Sequence, residues 1–309
     1  MKQNKNTKVI LLTMIVLIFF LSGCVSNPFL NPTTQDDFRI GKNGILMEFL
    51  TNAPPSETYE ETTFNIGILL KNVGAYDTKG GIISFTVEED YVELPNNGDI
   101  RFNLNGKSVA LPIGDQKTEM IRTKTKKISG QSEKHVSKIL VNICYPYQTK
   151  KNVDVCIDTD IYDIKNMKKV CNVKDISLTT QGAPVAITKI ESEMLSSGDE
   201  NIVKPSFEIY IKNVGGGIVF AKENINNVCS SAPLKYEEIN AVKIKVMMSG
   251  EELQCREEVL KLKENGGSVK CTLERGISTE KAIYTTPLTI ELDYGYSTSM
   301  SKDILIKKE

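Results

Sequence analysis

The chain of 309 residues has no tryptophan, one histidine and almost no net charge, with 38 Lys+Arg against 39 Asp+Glu. Each shortage excludes something. A single imidazole, His135, cannot build a His-rich zinc site or an HExxH metalloprotease helix within one chain. Balanced charge gives no basic field of the kind that grips a phosphate backbone, so no nucleic-acid partner is expected. The patterns GxSxG, GxxxxGK[ST] and GxGxxG are missing, and with them the usual signs of hydrolase, phosphate-loop and dinucleotide chemistry. No Cys-x-x-Cys pair occurs, which removes the common framework for structural zinc and thiol redox catalysis. What remains is a composition of 40% hydrophobic and 25% charged residues, typical of a globular protein with a sizeable core.

The N-terminus stands apart. Lys2, Lys5 and Lys8 precede an apolar run from Val9 to Leu21, with no acidic residue among them. This is the layout of a signal peptide over residues 1–23. As a helix the run spans ~20 Å, short of the ~30 Å hydrocarbon core, so an uncleaved anchor helix is the weaker alternative. The following Leu21-Ser22-Gly23-Cys24 resembles the lipobox of prokaryotic lipoproteins, which implies lipidation of Cys24 and attachment to the membrane through it. Residues 24–37, with Pro28 and Pro32 and no periodicity, read as a tether. Everything beyond is expected outside the cytoplasm.

From Ile45 onward the pattern is short β-branched runs with period-two alternation, separated by turns such as Asn97-Gly98, Asn105-Gly106 and Ser249-Gly250. The chain reads as all-β, with a helix plausible only over Lys222 to Val228. Two internal matches organise it. Lys71-Asn72-Val73-Gly74 recurs as Lys212-Asn213-Val214-Gly215, each after an alternating strand with inward positions Ile66, Ile68, Leu70 and Phe207, Ile209, Ile211. Val141 to Ile157 aligns without a gap on Ile290 to Ile306, pairing Tyr145 with Tyr294 and Tyr147 with Tyr296. Two copies of one fold explain this. Because a lone sheet leaves an apolar face wet, each copy is expected to be an immunoglobulin-like β-sandwich, residues 38–158 and 183–309, joined by 159–182 and each closing on a hairpin.

The strand followed by Lys-Asn-Val-Gly, with Pro54-Pro55 or Pro205 upstream, resembles the front of the cell-adhesion-related (CARDB-type) Ig-like domains of prokaryotic surface proteins. The wider pattern, including Ala183 to Glu191 and Leu292-Asp293-Tyr294-Gly295-Tyr296, looks like archaeal surface lipoproteins. The resemblance implies adhesion or scaffolding, a surface protein or glycan as partner, and no catalytic residue.

Beyond Cys24 there are six cysteines, Cys144, Cys156, Cys171, Cys229, Cys255 and Cys271, and in an exported chain the default is disulfides. Fifteen pairings are possible. Cys144 and Cys156 fall on the two arms of one expected hairpin, and Cys255 and Cys271 flank another; a Cys171–Cys229 bridge would join the copies. Other constellations have bland readings. Glu88-Glu89-Asp90 alternates across a strand edge, and Asp154, Asp158, Asp160 and Asp163 lack the rest of a calcium loop. The tyrosine pairs suit packing better than a sugar platform. The expectation is a non-catalytic surface lipoprotein without cofactor; the alternative is a ligand-binding subunit, for glycan, solute or metal, of an envelope enzyme or transport complex.

Overall fold

The computed structural model describes residues 38–95, 99–165, 168–230 and 232–309. Residues 1–37, with the signal segment, Cys24 and the tether, lie outside them. The described residues form an all-β sandwich. Its first half contains β1 (Ile45–Phe49), β2 (Glu57–Tyr59), β3 (Thr63–Asn72), β4 (Thr78–Thr86), β5 (Val92–Glu93), β6 (Ile100–Leu104), β7 (Gln116–Thr125) and β8 (Lys134–Ile157). The second contains β9 (Ile176–Ser177), β10 (Val185–Ser196), β11 (Ile202–Asn213), β12 (Ile218–Phe220), a short helix α1 (Ile225–Cys229) and β13 (Ala241–Met248). After them come β14 (Glu251–Glu252), β15 (Gln254–Cys255), β16 (Val259–Lys261), β17 (Gly266–Thr272), β18 (Ile277–Ser278) and β19 (Tyr284–Lys307).

The expected closing hairpins are absent. β8 and β19 are each one continuous strand of 24 residues, paired antiparallel along their whole length from Lys134–Lys307 to Ile157–Tyr284. The stretches Gln148 to Lys151 and Ser297 to Ser301 contain no glycine or proline and no residue with positive φ, so nothing there reverses the chain. Thr149, buried on the core face and donating to Val185 O (2.6 Å), instead keeps the alternation of β8 going. The consequence is an exchange of strands. The first part of β8 pairs with β4 at Leu140 to Cys144, and the first part of β19 pairs with β13 at Leu288 to Asp293. The second part of each then runs on into the other half's sheet.

One nine-stranded sheet, with β14-β13-β19-β8-β4-β6 as its backbone, therefore spans both halves. A four-stranded sheet, β1-β3-β7-β5, belongs to the first half and a six-stranded one, β15-β17-β11-β10-β9 with β18, to the second. Ile66, Ile68 and Leu70 of β3 and Phe207, Ile209 and Ile211 of β11 are buried with Ile139, Val141, Ile143, Val155 and Ile157 of β8 and Leu288, Ile290, Leu292, Ile304 and Ile306 of β19. All the core positions of the long strands lie on one face, as period-two geometry requires. On the other face, Ile82, Cys144, Phe220 and Cys229 form a small second cluster under α1.

The Lys-Asn-Val-Gly repeat has a specific purpose in this packing. Asn72, fully buried, donates to the carbonyls of Tyr76 (2.8 Å) and Leu104 (3.2 Å). Its Oδ1 accepts from Gly74 N–H (3.2 Å) and from the Tyr147 hydroxyl (3.2 Å). In the second half Asn213 donates to Gly217 O (2.9 Å) and accepts from the Tyr296 hydroxyl (3.3 Å). A Cβ on Gly74 would lie 1.9 Å from Tyr147 Oη, and one on Gly215 2.2 Å from Tyr296 Oη, so glycine makes room for the phenol that the asparagine holds. Asn72→Ala should lower the unfolding free energy by about 2–3 kcal/mol in urea, because several buried groups lose partners at once. Asn213→Ala should cost less, its side chain making fewer bonds at a more exposed position.

Candidate functional site

Four tyrosines, Tyr145, Tyr147, Tyr294 and Tyr296, meet at the middle of the β8–β19 pair. Tyr145 stands opposite Tyr296 and Tyr147 opposite Tyr294, with ring centroids 5.9 and 6.3 Å apart. None exceeds 2% exposure, so no aromatic platform faces solvent there. Every hydroxyl is satisfied by the start of a front strand or by a repeat asparagine. Ile45 N–H donates to Tyr145 Oη (3.2 Å) and Val185 N–H to Tyr294 Oη (3.3 Å). Tyr76 N–H and Gly217 N–H donate to Tyr147 and Tyr296 (3.4 and 2.7 Å). These side chains are a structural centre and do not form a ligand site.

The cysteines close as Cys144–Cys229, Cys156–Cys171 and Cys255–Cys271. Cys144 and Cys156 cannot pair as two arms of a hairpin, because both sit on β8, with 12 residues at about 3.3 Å each keeping them roughly 40 Å apart. Nor does Cys171 reach Cys229. The bridge between the halves is Cys144–Cys229, which ties β8 of the first half to α1 of the second across the outer face. Arg101 also reaches that helix, donating to Asn226 Oδ1 (3.3 Å). Cys255 and Cys271 are direct cross-strand partners on β15 and β17. Three disulfides fit a protein that folds in an oxidising compartment outside the cytoplasm. Among the described residues no helix is long and apolar enough to cross a membrane.

His135 stacks on Tyr91 with centroids 3.5 Å apart and places Nε2 2.6 Å from Glu88 Oε2. That contact holds the Glu88 carboxyl below its ordinary pKa and clamps the loop after β4 to β8. Glu89 and Asp90 are exposed beside it. Asp158 and Asp160 are spent on their own loop. Asp158 accepts from Asp160 N–H (2.9 Å) and from Lys169 Nζ (2.7 Å), while the Asp160 carboxylate accepts the N–H groups of Ile164 and Lys165 (both 2.9 Å). Among the described residues no three His, Cys, Asp or Glu side chains cluster as metal ligands.

The loop so braced forms one wall of a cleft of about 740 Å³ at the end of the second half. Cys156–Cys171, the two aspartates and the Lys169 ion pairs to Asp158 and Asp163 fix it. Yet Tyr162 and Ile164 on it point into solvent, 68% and 79% exposed. The opposite walls are the β10–β11 turn, with Asp199, Glu200 and Ile202, and the segment after β18, with Glu280. Thr279 N–H donates to Asn201 O (2.8 Å), locking those two walls together. Among the described residues of the loop none joins the hydrophobic core, and an aromatic and an aliphatic side chain are displayed at the surface. Sequence reading assigned residues 159–182 to a joint and missed this cleft. The available signal was the pair Tyr162 and Ile164 between two cysteines.

Comparison with known protein families finds no family model that matches the chain, and no curated protein matches it. Among solved structures, the YadV chaperone aligns at 7% identity and TM-score 0.20 over 76% of this chain and 88% of that one. Spo0M, a sporulation control protein from Bacillus subtilis, aligns at 11% identity and TM-score 0.15 over 55% of this chain and 80% of that one. Overlaps this slight carry no functional information.

Burial pushes the phenols of Tyr145, Tyr147 and Tyr294 above the ordinary 10.0. The unfolded chain ionises them near 10 while the folded chain keeps them protonated, so their stabilising contribution is complete below that pH and is lost as pH rises beyond it. In an alkaline titration these tyrosines should absorb as tyrosinate only together with loss of the β-sheet circular dichroism. Replacing Cys144 and Cys229 together by alanine should cost about 4 kcal/mol, more than the Cys255/Cys271 pair, because the bridge closes 85 residues against 16. Urea unfolding of the two double variants checks the order.

Proposed function

We propose that the protein is a non-catalytic lipoprotein of the cell surface, held to the membrane by lipid on Cys24 and presenting its fused β-sandwich for adhesion, scaffolding or envelope assembly. The observation that carries this reading is the conjunction of a lipobox-like Leu21-Ser22-Gly23-Cys24 with six downstream cysteines closed into three bridges. Lipidation and disulfides both belong to exported chains. The tether of residues 24–37 would hold the sandwich off the lipid surface, within reach of other envelope proteins and glycans. The CARDB-type resemblance of the repeats supports the same assignment. A second reading, a ligand-binding subunit of an envelope enzyme or transport complex, is favoured by the cleft beside Tyr162 and Ile164.

Protein isolated from membranes should have an intact mass that starts at Cys24 with added lipid, and its six remaining cysteines should resist alkylation until reduced. Cys24→Ser should accumulate as the unprocessed chain without lipid mass. An unprocessed wild-type N-terminus together with six free thiols would overturn the compartment and the anchor alike.

A further inference from the structure

The two halves close the same junction in different ways. In the second half, Asn213 N–H donates to Asn265 O (2.7 Å) in the short link of residues 262–265 between β16 and β17. In the first half, Asn72 N–H makes the equivalent bond to Asp115 O (2.9 Å), but the chain from β6 to β7 runs through residues 105–115. The fold itself needs only the short link, whose tip is Lys263, Glu264 and Asn265. The longer loop carries five consecutive apolar residues, Val109-Ala110-Leu111-Pro112-Ile113, and none of them is buried. Val109 is 58% and Ile113 79% exposed.

The base and the tip of this loop are both fixed. The Asp77 carboxylate accepts Gly106 N–H (2.7 Å), and Asp115 N–H donates to Asn105 O (3.0 Å). Ser108 and Leu111 exchange both backbone hydrogen bonds (3.0 and 3.2 Å), which closes a two-residue turn at Val109-Ala110. Gly114, at φ +74°, passes so close to β3 that a Cβ there would lie 1.9 Å from Asn72 O. The apolar tip is thereby held out from the core.

The loop also lies beside the point where the tether enters the sandwich. Lys107 N–H donates to Gly74 O (2.7 Å), and Ala75 N–H donates to Gly182 O (2.8 Å). Gly182 N–H in turn donates to Gly41 O (3.0 Å), and a Cβ on Gly182 would lie 3.3 Å from Arg39 Cα. The loop and the segment of residues 38–41 thus rest on the same Gly74–Ala75 turn. The fourteen steps of chain from Cys24 to Phe38 reach at most ~50 Å, so a lipid on Cys24 brings this turn within reach of a bilayer before any other part of the fold. Charge adds little, because Arg39, Lys42 and Lys107 are offset by Asp36 and Asp37 of the tether and by Asp77 and Asp115 at the base of the loop.

We propose that the Val109–Ile113 tip inserts into the interfacial layer of the lipid bilayer, as a second, non-covalent membrane contact beside the anchor. This rests on the reading of Cys24 as lipidated. Removal of apolar surface from water drives the insertion. The paired turn at Ser108 and Leu111, and Pro112 with no N–H, reduce the number of backbone groups that enter without a partner. Because the tether holds the loop at high local concentration over the lipid, a weak contact becomes a persistent one. The tether lets the sandwich stand off the bilayer, and the loop brings its middle back, since Gly74 packs on Tyr147 at the midpoint of β8. Both outer ends then stay in water.

The chain has no tryptophan, so one substitution creates a single emitter. Full-length protein processed in the cell is purified from membranes and reconstituted in phosphatidylcholine vesicles, with and without phosphatidylcholine brominated on its acyl chains. Intact mass and flotation with the vesicles are read on the same sample. Ile113→Trp emission should fall about twofold or more with brominated lipid, in dilute and in concentrated NaCl alike. Val136→Trp and Tyr162→Trp, at exposed positions near the outer ends of the first and second halves, should stay unquenched. Ala110→Trp should be quenched like Ile113→Trp, and adding Val109→Asp and Ile113→Asp to it should abolish the quenching without moving the thermal midpoint, since both side chains are exposed. A lipidated, floating chain whose Ile113→Trp is not quenched overturns the loop contact and leaves the anchor standing. Quenching in a floating chain without lipid mass sinks the anchor and upholds the loop, whereas a chain with neither lipid mass nor flotation overturns both. Protection of Ile113→Trp from aqueous iodide without quenching by brominated lipid overturns the proposal in favour of a protein occupant, this chain's own residues 25–37 or a second copy.

Discussion

Four phenolic hydroxyls at the midpoint of two paired strands hold the molecule in register. Tyr145 and Tyr296, Tyr147 and Tyr294 face each other across the Pro146–Gly295 pair, and each reaches out of the long sheet to a backbone or side-chain group of a front strand. A buried phenol without a partner costs on the order of 1–3 kcal/mol, so the register that satisfies all four is strongly preferred over a slip by one residue or two. The asparagines and glycines of the two Lys-Asn-Val-Gly segments exist in service of these hydroxyls: Asn72 and Asn213 accept from them, and Gly74 and Gly215 leave them space. The front sheets are thereby fixed to the shared sheet at its midpoint, where a sandwich of exchanged strands is otherwise weakest.

Exchange of the strand ends makes the two halves interdependent. The shared sheet of each half contains one part of a strand that begins in the other, so removing either half opens an edge in its neighbour. The insertion between Phe220 and Ala241 reinforces this from outside. It carries α1 onto β4 and β8 and closes Cys144–Cys229, so the halves are joined by hydrogen bonds within the sheet, by packing on both faces and by a covalent bridge. Such a unit resists separation of its halves under load.

Among the described residues of the loop after β8 and of the β10–β11 turn, no hydrophobic side chain belongs to the core. Asp158 and Asp160, which as a pair of carboxylates look like cation ligands, are consumed in folding the loop, and the loop then turns Tyr162 and Ile164 outward. In the first half β2 pairs with the end of β19.

The sequence by itself determined the strands, their inward faces and the repeat, because period-two alternation and turn residues are local and survive without knowledge of partners. The even set of six cysteines was legible on the same grounds. Tertiary structure alone decided where the strands go after the repeat midpoint. An alternating run broken by Gln148-Thr149-Lys150-Lys151 has the same local pattern whether it folds back as a hairpin or continues into a neighbour, and the difference lies in the long-range register of β8 on β19. The disulfide pairing followed from that choice, since a straight β8 separates Cys144 from Cys156 and leaves each to a partner brought close only by the fold. The cleft was hidden for the same reason: it is formed by residues around 162, 199 and 280, which no local pattern connects and which meet only because exchanged strands end at one corner.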